Sequence, residues 1–171
     1  PHGSIDGHLF RDVDGTLYMY YTIEHGNSDG LTAGQIFVDR MISPEKVAGT
    51  PVPIITEHGW QEGPCMIYDN GRYILTYSTE NWQDETYKVR WALAKSPTGP
   101  FEELGVILSS TDQVKGPGHH SFFTGPKGER WICYHGWDPD FTARYPRIDP
   151  LFVGPDGVVV DGPSVGKKRI R

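Results

Sequence analysis

Three glycines, Gly15, Gly71 and Gly128, lie 56 and 57 residues apart, and each closes a short turn that opens an aromatic-rich segment. The turns read Asp14-Gly15-Thr16, Asn70-Gly71-Arg72 and Lys127-Gly128-Glu129; the segments are LYMYYT, YILTYST and RWICYHG. A fixed period of this length is the mark of a repeat architecture, each repeat being one supersecondary unit. Four short strand-like segments fall in every repeat. They span 8–12, 17–23, 34–41 and 51–56, then 63–68, 73–79, 87–94 and 101–108, then 119–124, 130–136, 147–153 and 158–160. Gly, Pro, Asn and Asp punctuate them, as they do strands joined by tight turns. No stretch sustains a helical period; residues 44–47 have room for one helical turn. The expected fold is therefore all-β, a β-propeller with three four-stranded blades at 1–57, 58–110 and 111–171. Propellers close with about four to eight blades, so the expectation is a partial propeller, or a ring completed by another chain.

Composition supports this class. Twenty-one glycines and 14 prolines in 171 residues are too turn-rich for a helical protein, and a 12% aromatic share supplies large buried surfaces. Ser96-Pro97-Thr98-Gly99-Pro100-Phe101 reads as a rigid connector to the outermost strand of its blade. The net charge of −6, with no basic cluster beyond Lys167-Lys168-Arg169, argues against nucleic-acid binding. No apolar run is long enough to span a bilayer. Cys65 and Cys133 lie inside strand-like segments and are expected as buried free thiols, since two cysteines make no disulfide framework. The start at Pro1, without methionine or signal peptide, leads us to expect a processed or trimmed N-terminus. Extracellular, periplasmic and cytoplasmic settings all remain open.

Nine residues before each repeat glycine sits a group able to do chemistry: Asp6, Glu62 and His119. In a radially repeated fold, equivalent points converge on the axis. Alone, Asp6 also fits an Asx-turn and Glu62 a surface position before a turn. Held between Trp60 and Gly63-Pro64, however, Glu62 is expected to lose solvent, and desolvation beside a second carboxylate favours the protonated acid. His119 suits a metal ligand, a substrate contact or a hydrogen-bonded core histidine, and His120 alternates to a structural face. Arg144 offers a planar fork of donors to sugar hydroxyls or a carboxylate; the alternative is an exposed salt bridge. Trp60, Phe122, Trp137 and Tyr145 are candidates for a sugar-stacking platform.

The segments IDGHLFRDVDGTLYMYYT, EGPCMIYDNGRYILTYS and GPGHHSFF with WICYH, together with ALAKSPTGPFE and RYPRIDPLFVGPDG, resemble glycoside hydrolase family 43. The likeness runs the whole chain, from that family's second blade onward. It implies a five-bladed propeller, with Glu62 on the general acid, Asp6 on the aspartate that tunes the acid's pKa, and Arg144 on the substrate-binding arginine. His119 falls on the axial histidine, near which several members hold calcium or another cation. The family's general base is a first-blade aspartate, and no residue here takes that role.

The implied function is inverting hydrolysis of terminal α-L-arabinofuranosyl or β-D-xylosyl linkages in plant oligosaccharides or polysaccharides. A noncatalytic carbohydrate-binding propeller piece is the alternative, and a structural interaction propeller a weaker one. Three blades leave unpaired edges and uncovered faces. Self-association, with two copies giving six blades, or association with a separate segment is therefore expected.

Overall fold

A computed structural model of the chain describes residues 3–26, 31–55 and 59–170. Among the described residues there is no helix, and the strands fall into three antiparallel groups. The first sheet holds β1 (Gly3–Arg11), β2 (Leu17–His25), β3 (Ile36–Ser43) and β4 (Lys46–Val47), with β5 (Val52–Ile55) also pairing with β3. The second runs in order β6 (Gln61–Asp69), β7 (Arg72–Thr79), β8 (Lys88–Ala94) and β9 (Glu102–Leu108). The third runs β10 (Lys115–Thr124), β11 (Arg130–Trp137), β12 (Arg144–Gly154) and β13 (Gly157–Val160). Strand order equals chain order in the second and third sheets, because each neighbour is reached through a short turn. Gly15, Gly71 and Gly128 sit in the first of these turns at φ of 87°, 80° and 82°, a region open to glycine at no steric cost.

Two differences from the sequence expectation matter. Residues 44–47 form a turn and the two-residue strand β4 instead of a helical turn, because Ala48 N–H and Val47 return to β3. The first strand of every sheet also begins earlier than its apolar pattern, at Gly3, Gln61 and Lys115. Ladder pairing extends through glycine- and proline-rich residues that carry no alternating signal. The expected boundary at 57/58, and Thr56 at the end of an expected strand, lie outside the described residues.

The chain divides into two compact units: residues 1–77 with 92–104, and residues 78–91 with 105–171. The core of the first unit gathers Phe10, Tyr20, Ile36, Val38, Ile55, Met66, Tyr73, Leu75, Tyr77, Ala92 and Ala94. Its aromatics meet edge to face, Phe10 with Tyr20 at 6.3 Å and with Tyr73 at 6.2 Å, the geometry ring quadrupoles favour. Tyr20, fully buried, donates its hydroxyl to Pro97 O at 2.6 Å and so pins the connector read from the prolines. His8 Nε2 accepts Met66 N–H, and burial holds the imidazole below its usual range, so it packs as a neutral ring. Cys65 is buried, which pushes its thiol up to about 12.

The second unit buries Tyr87, Val89, Leu108, Val114, Ile132, Tyr134 and Leu151. Tyr134 and Ser164 hydroxyls both donate to the buried Asp149 at 2.5 Å, and Ser164 N–H adds a third bond at 3.1 Å, tying the C-terminal segment down. Cys133, expected as buried, is half-buried; both thiols are free.

Candidate active site

Asp6 does not sit before β1 but inside it, at a break in the ladder. Ile5 pairs with Thr22 and His8 with Tyr20, so three steps on β1 face two on β2. The extra residue makes a β-bulge, which bends a strand and re-aims a side chain. Asp6 takes φ 57° to accommodate it, a conformation in which aspartate is more tolerated than most residues. Its Oδ2 accepts Gly63 N–H at 3.1 Å. β10 repeats this device in the second unit: Gly118 pairs with His135 and Ser121 with Cys133, and His119 takes φ 50°. In β6 the left-handed residue is Gly63 at φ 57°, one position beyond Glu62. The nine-residue phase therefore has a backbone basis, a kink near the start of each first strand.

Glu62 is only 7% exposed. Trp60 Nε1 donates to its Oε2 at 2.7 Å. The sequence suggested that the indole merely removes water; it also supplies a hydrogen bond, which favours the charged carboxylate and opposes desolvation. Gly34 fixes that indole. A Cβ on Gly34 would lie 2.9 Å from Trp60 Cε3 and 3.1 Å from its Cα, and Gly34 O accepts Gln61 N–H at 2.8 Å. Gly34, at φ 75°, gives no distinguishing signal in the sequence; its GQ pattern before a strand reads as an ordinary turn. One carboxylate oxygen of Asp6 lies within 4.8 Å of one of Glu62. The two acids picked out by phase are thus brought together in the first unit.

In the second unit His119 is exposed, its backbone N–H donates to Ser78 Oγ at 2.8 Å, and its ring stacks on His135 at 6.4 Å. His120 is buried, as a structural residue should be, and Phe122 packs on it at 5.1 Å. Arg144 forms no ion pair among the described residues. Its guanidinium rests on two indoles instead, 4.7 Å from the Trp82 centroid and 5.2 Å from that of Trp137. The salt-bridge alternative is thereby set aside, and the planar donors stay uncommitted. Trp82 carries no signal in the sequence, because it lies in the polar turn ENWQDET, which has no strand pattern. Tyr145, the next residue on β12, is half exposed.

The family model for glycosyl hydrolases family 43 matches residues 1–159. A β-D-galactofuranosidase of Aspergillus niger is 35% identical over 147 residues, covering 85% of this chain and 41% of that protein. A β-xylosidase of Xylanibacter ruminicola is 28% identical over 177 residues, covering 84% and 52%. The crystal structure of a thermostable family-43 glycoside hydrolase matches with a TM-score of 0.86 at 31% identity, over 99% of this chain and 61% of its own. The chain therefore spans about half the length of these curated relatives and about three fifths of that solved structure. The likeness assigns the fold class, a partial β-propeller with each sheet as a blade.

Proposed function

The chain belongs to glycosyl hydrolases family 43, and from that membership we propose that it carries the acid half of an inverting glycosidase acting on terminal α-L-arabinofuranosyl or β-D-xylosyl linkages of plant oligosaccharides and polysaccharides. The observation that carries this is the buried Glu62 with the Asp6 carboxylate within 4.8 Å. Two acids that close cannot both ionise cheaply, so one retains its proton near neutral pH. Inverting pairs stand roughly 6.5–9.5 Å apart to admit a water; Asp6 is too near Glu62 for that, which suits a tuning residue and not the base. Glu62 donates its proton to the leaving glycosidic oxygen, while a carboxylate from the remaining length of the protein activates water on the opposite face. Arg144 and His119 bind hydroxyls of the sugar, with Trp60 and Phe122 as further contacts. The relatives' names support both sugars. One names a xyloside and one a galactofuranoside, of which arabinofuranose is a close analogue with a shorter exocyclic tail.

Calcium near His119 belongs to the same proposal only in a limited form. Calcium takes six to eight oxygen ligands, whereas the His119 imidazole offers nitrogen only. Imidazole nitrogen is a poor direct ligand for so hard a cation, and no step is routed through a metal. A cation there would keep its water, with His119 contacting the hydration shell.

Glu62→Gln in the complete enzyme is expected to lower turnover on unactivated xylo- and arabino-oligosaccharides at least about a hundredfold, the usual cost of removing general acid catalysis. The loss should be smaller on p-nitrophenyl glycosides, whose leaving group needs little protonation. Equal losses on both would take the acid role from Glu62. Proton NMR of the first-formed product checks the stereochemistry, and retention would overturn this mechanism. Binding of the same sugars without turnover would instead favour a noncatalytic carbohydrate-binding role.

A further inference from the structure

The stack around Arg144 has features that holding one arginine does not require. Trp82 and Trp137 lie nearly parallel, 10° between planes and 6.5 Å between centroids, locked by Trp137 Nε1 donating to Trp82 O at 2.9 Å. Trp137 is the ladder partner of Arg144 across β11 and β12, so backbone pairing sets one side of the stack. Phe141 closes the group at 6.0 Å from Trp137 and holds φ 54°, a conformation costly for a bulky residue. Asp138 enforces it by accepting Thr142 N–H at 2.7 Å and the Thr142 hydroxyl at 2.5 Å. Strain of this kind persists where surrounding structure over-determines it, and such positions cluster at ligand clamps. Despite this bracing, Trp82 remains 38% and Phe141 36% exposed, and the guanidinium donors have no acid partner among the described residues. A rigid apolar face beside an uncommitted planar fork is shaped for a ligand with one apolar side and hydroxyls on its rim.

We propose that Trp82, Trp137 and Phe141 with Arg144 form a glycosyl-binding subsite that takes one sugar ring of a neutral pentose chain. Trp82 stacks on the C–H face of that ring, Arg144 donates to its hydroxyls, and Trp137 with Phe141 holds both in place. The choice of a pentose chain rests on the glycosidase proposal; the aromatic clamp itself does not. A stacked ring contributes on the order of one power of ten in affinity.

The test is calorimetric titration of the full chain with linear arabinohexaose and xylohexaose, in the Glu62→Gln background so that binding is read without turnover. Trp82→Ala should raise the Kd of the bound hexaose about tenfold, and Trp82→Phe, which retains a flat face, should recover most of that. An unchanged Kd in Trp82→Ala, or no binding of either hexaose to the parent, overturns the subsite. The two proposals separate cleanly. Trp82-dependent binding with no hydrolysis by the complete Glu62 enzyme, general base included, removes the glycosidase and leaves the subsite. Hydrolysis with Trp82-independent binding does the reverse.

Discussion

At the residue scale, the state of Glu62 is set by opposing effects that can be removed one at a time. Burial and the Asp6 charge favour the protonated acid; the Trp60 indole N–H favours the carboxylate. The basic limb of the pH–rate profile reports the group that must stay protonated. Asp6→Asn removes a neighbouring negative charge, lowers the acid's pKa, and should move that limb to lower pH. Trp60→Phe keeps the apolar ring but deletes the donor to the carboxylate, and should move it to higher pH. Profiles of kcat/KM for the two variants check both signs. Shifts in the same direction would show that Glu62 is not the titrating acid. The first of these effects was legible in the sequence, since the repeat phase pairs the acids. The second was not, because no spacing rule says where an indole nitrogen points.

At the element scale, bulges do what alternation cannot. A regular β1 would carry Asp6 and His8 to one face and repeat that choice down the strand. The left-handed turn at Asp6 breaks the alternation, so the carboxylate reaches Gly63 N–H while His8 still packs with Tyr20 and accepts Met66 N–H. His119 lies in the matching kink of β10, beside Gly118, where a Cβ would come within 2.2 Å of the Tyr87 ring. The connection between β2 and β3 contributes as well, through Gly34 beneath Trp60. Gly34→Ala combines an unfavourable φ with a contact against the indole, so it is expected to cost at least about 1 kcal/mol in chemical unfolding. It should also shift the basic limb in the same direction as Trp60→Phe, because the displaced indole loses its bond to Glu62. A stable variant with an unaltered profile would mean the indole is held by other means.

At the scale of the whole molecule, the first unit carries an uncovered surface. A hollow of about 800 Å³ is lined by Ile5, Asp6, Met19, Tyr21 and Asp39 among others. Asp39 is only 2% exposed; its Oδ2 accepts Gly49 and Thr50 N–H, while its Oδ1 is buried with no partner among the described residues. A buried acceptor left unpaired costs about 1–3 kcal/mol, which argues for a donor arriving from outside the unit. β1 is moreover a sheet edge, a template for pairing with another chain. We therefore expect the 171-residue chain to self-associate, or to need the remaining length of its relatives, and light scattering at micromolar concentration measures this. A well-folded monomer would overturn the expectation.

By itself the sequence determined the three-fold period, the all-β class, the turns at Gly15, Gly71 and Gly128, and the pairing of Asp6 with Glu62. These depend on local chemistry, glycine at positive φ and apolar alternation, repeated often enough to be read. Only the tertiary structure decided that Trp60 hydrogen-bonds Glu62 above Gly34, that Arg144 lies on Trp82 and Trp137 in place of an acid, and that Asp39 keeps an unpaired oxygen. Each of these joins residues far apart in the chain or depends on a side chain's direction. Such contacts are fixed by packing, which local sequence pattern does not encode.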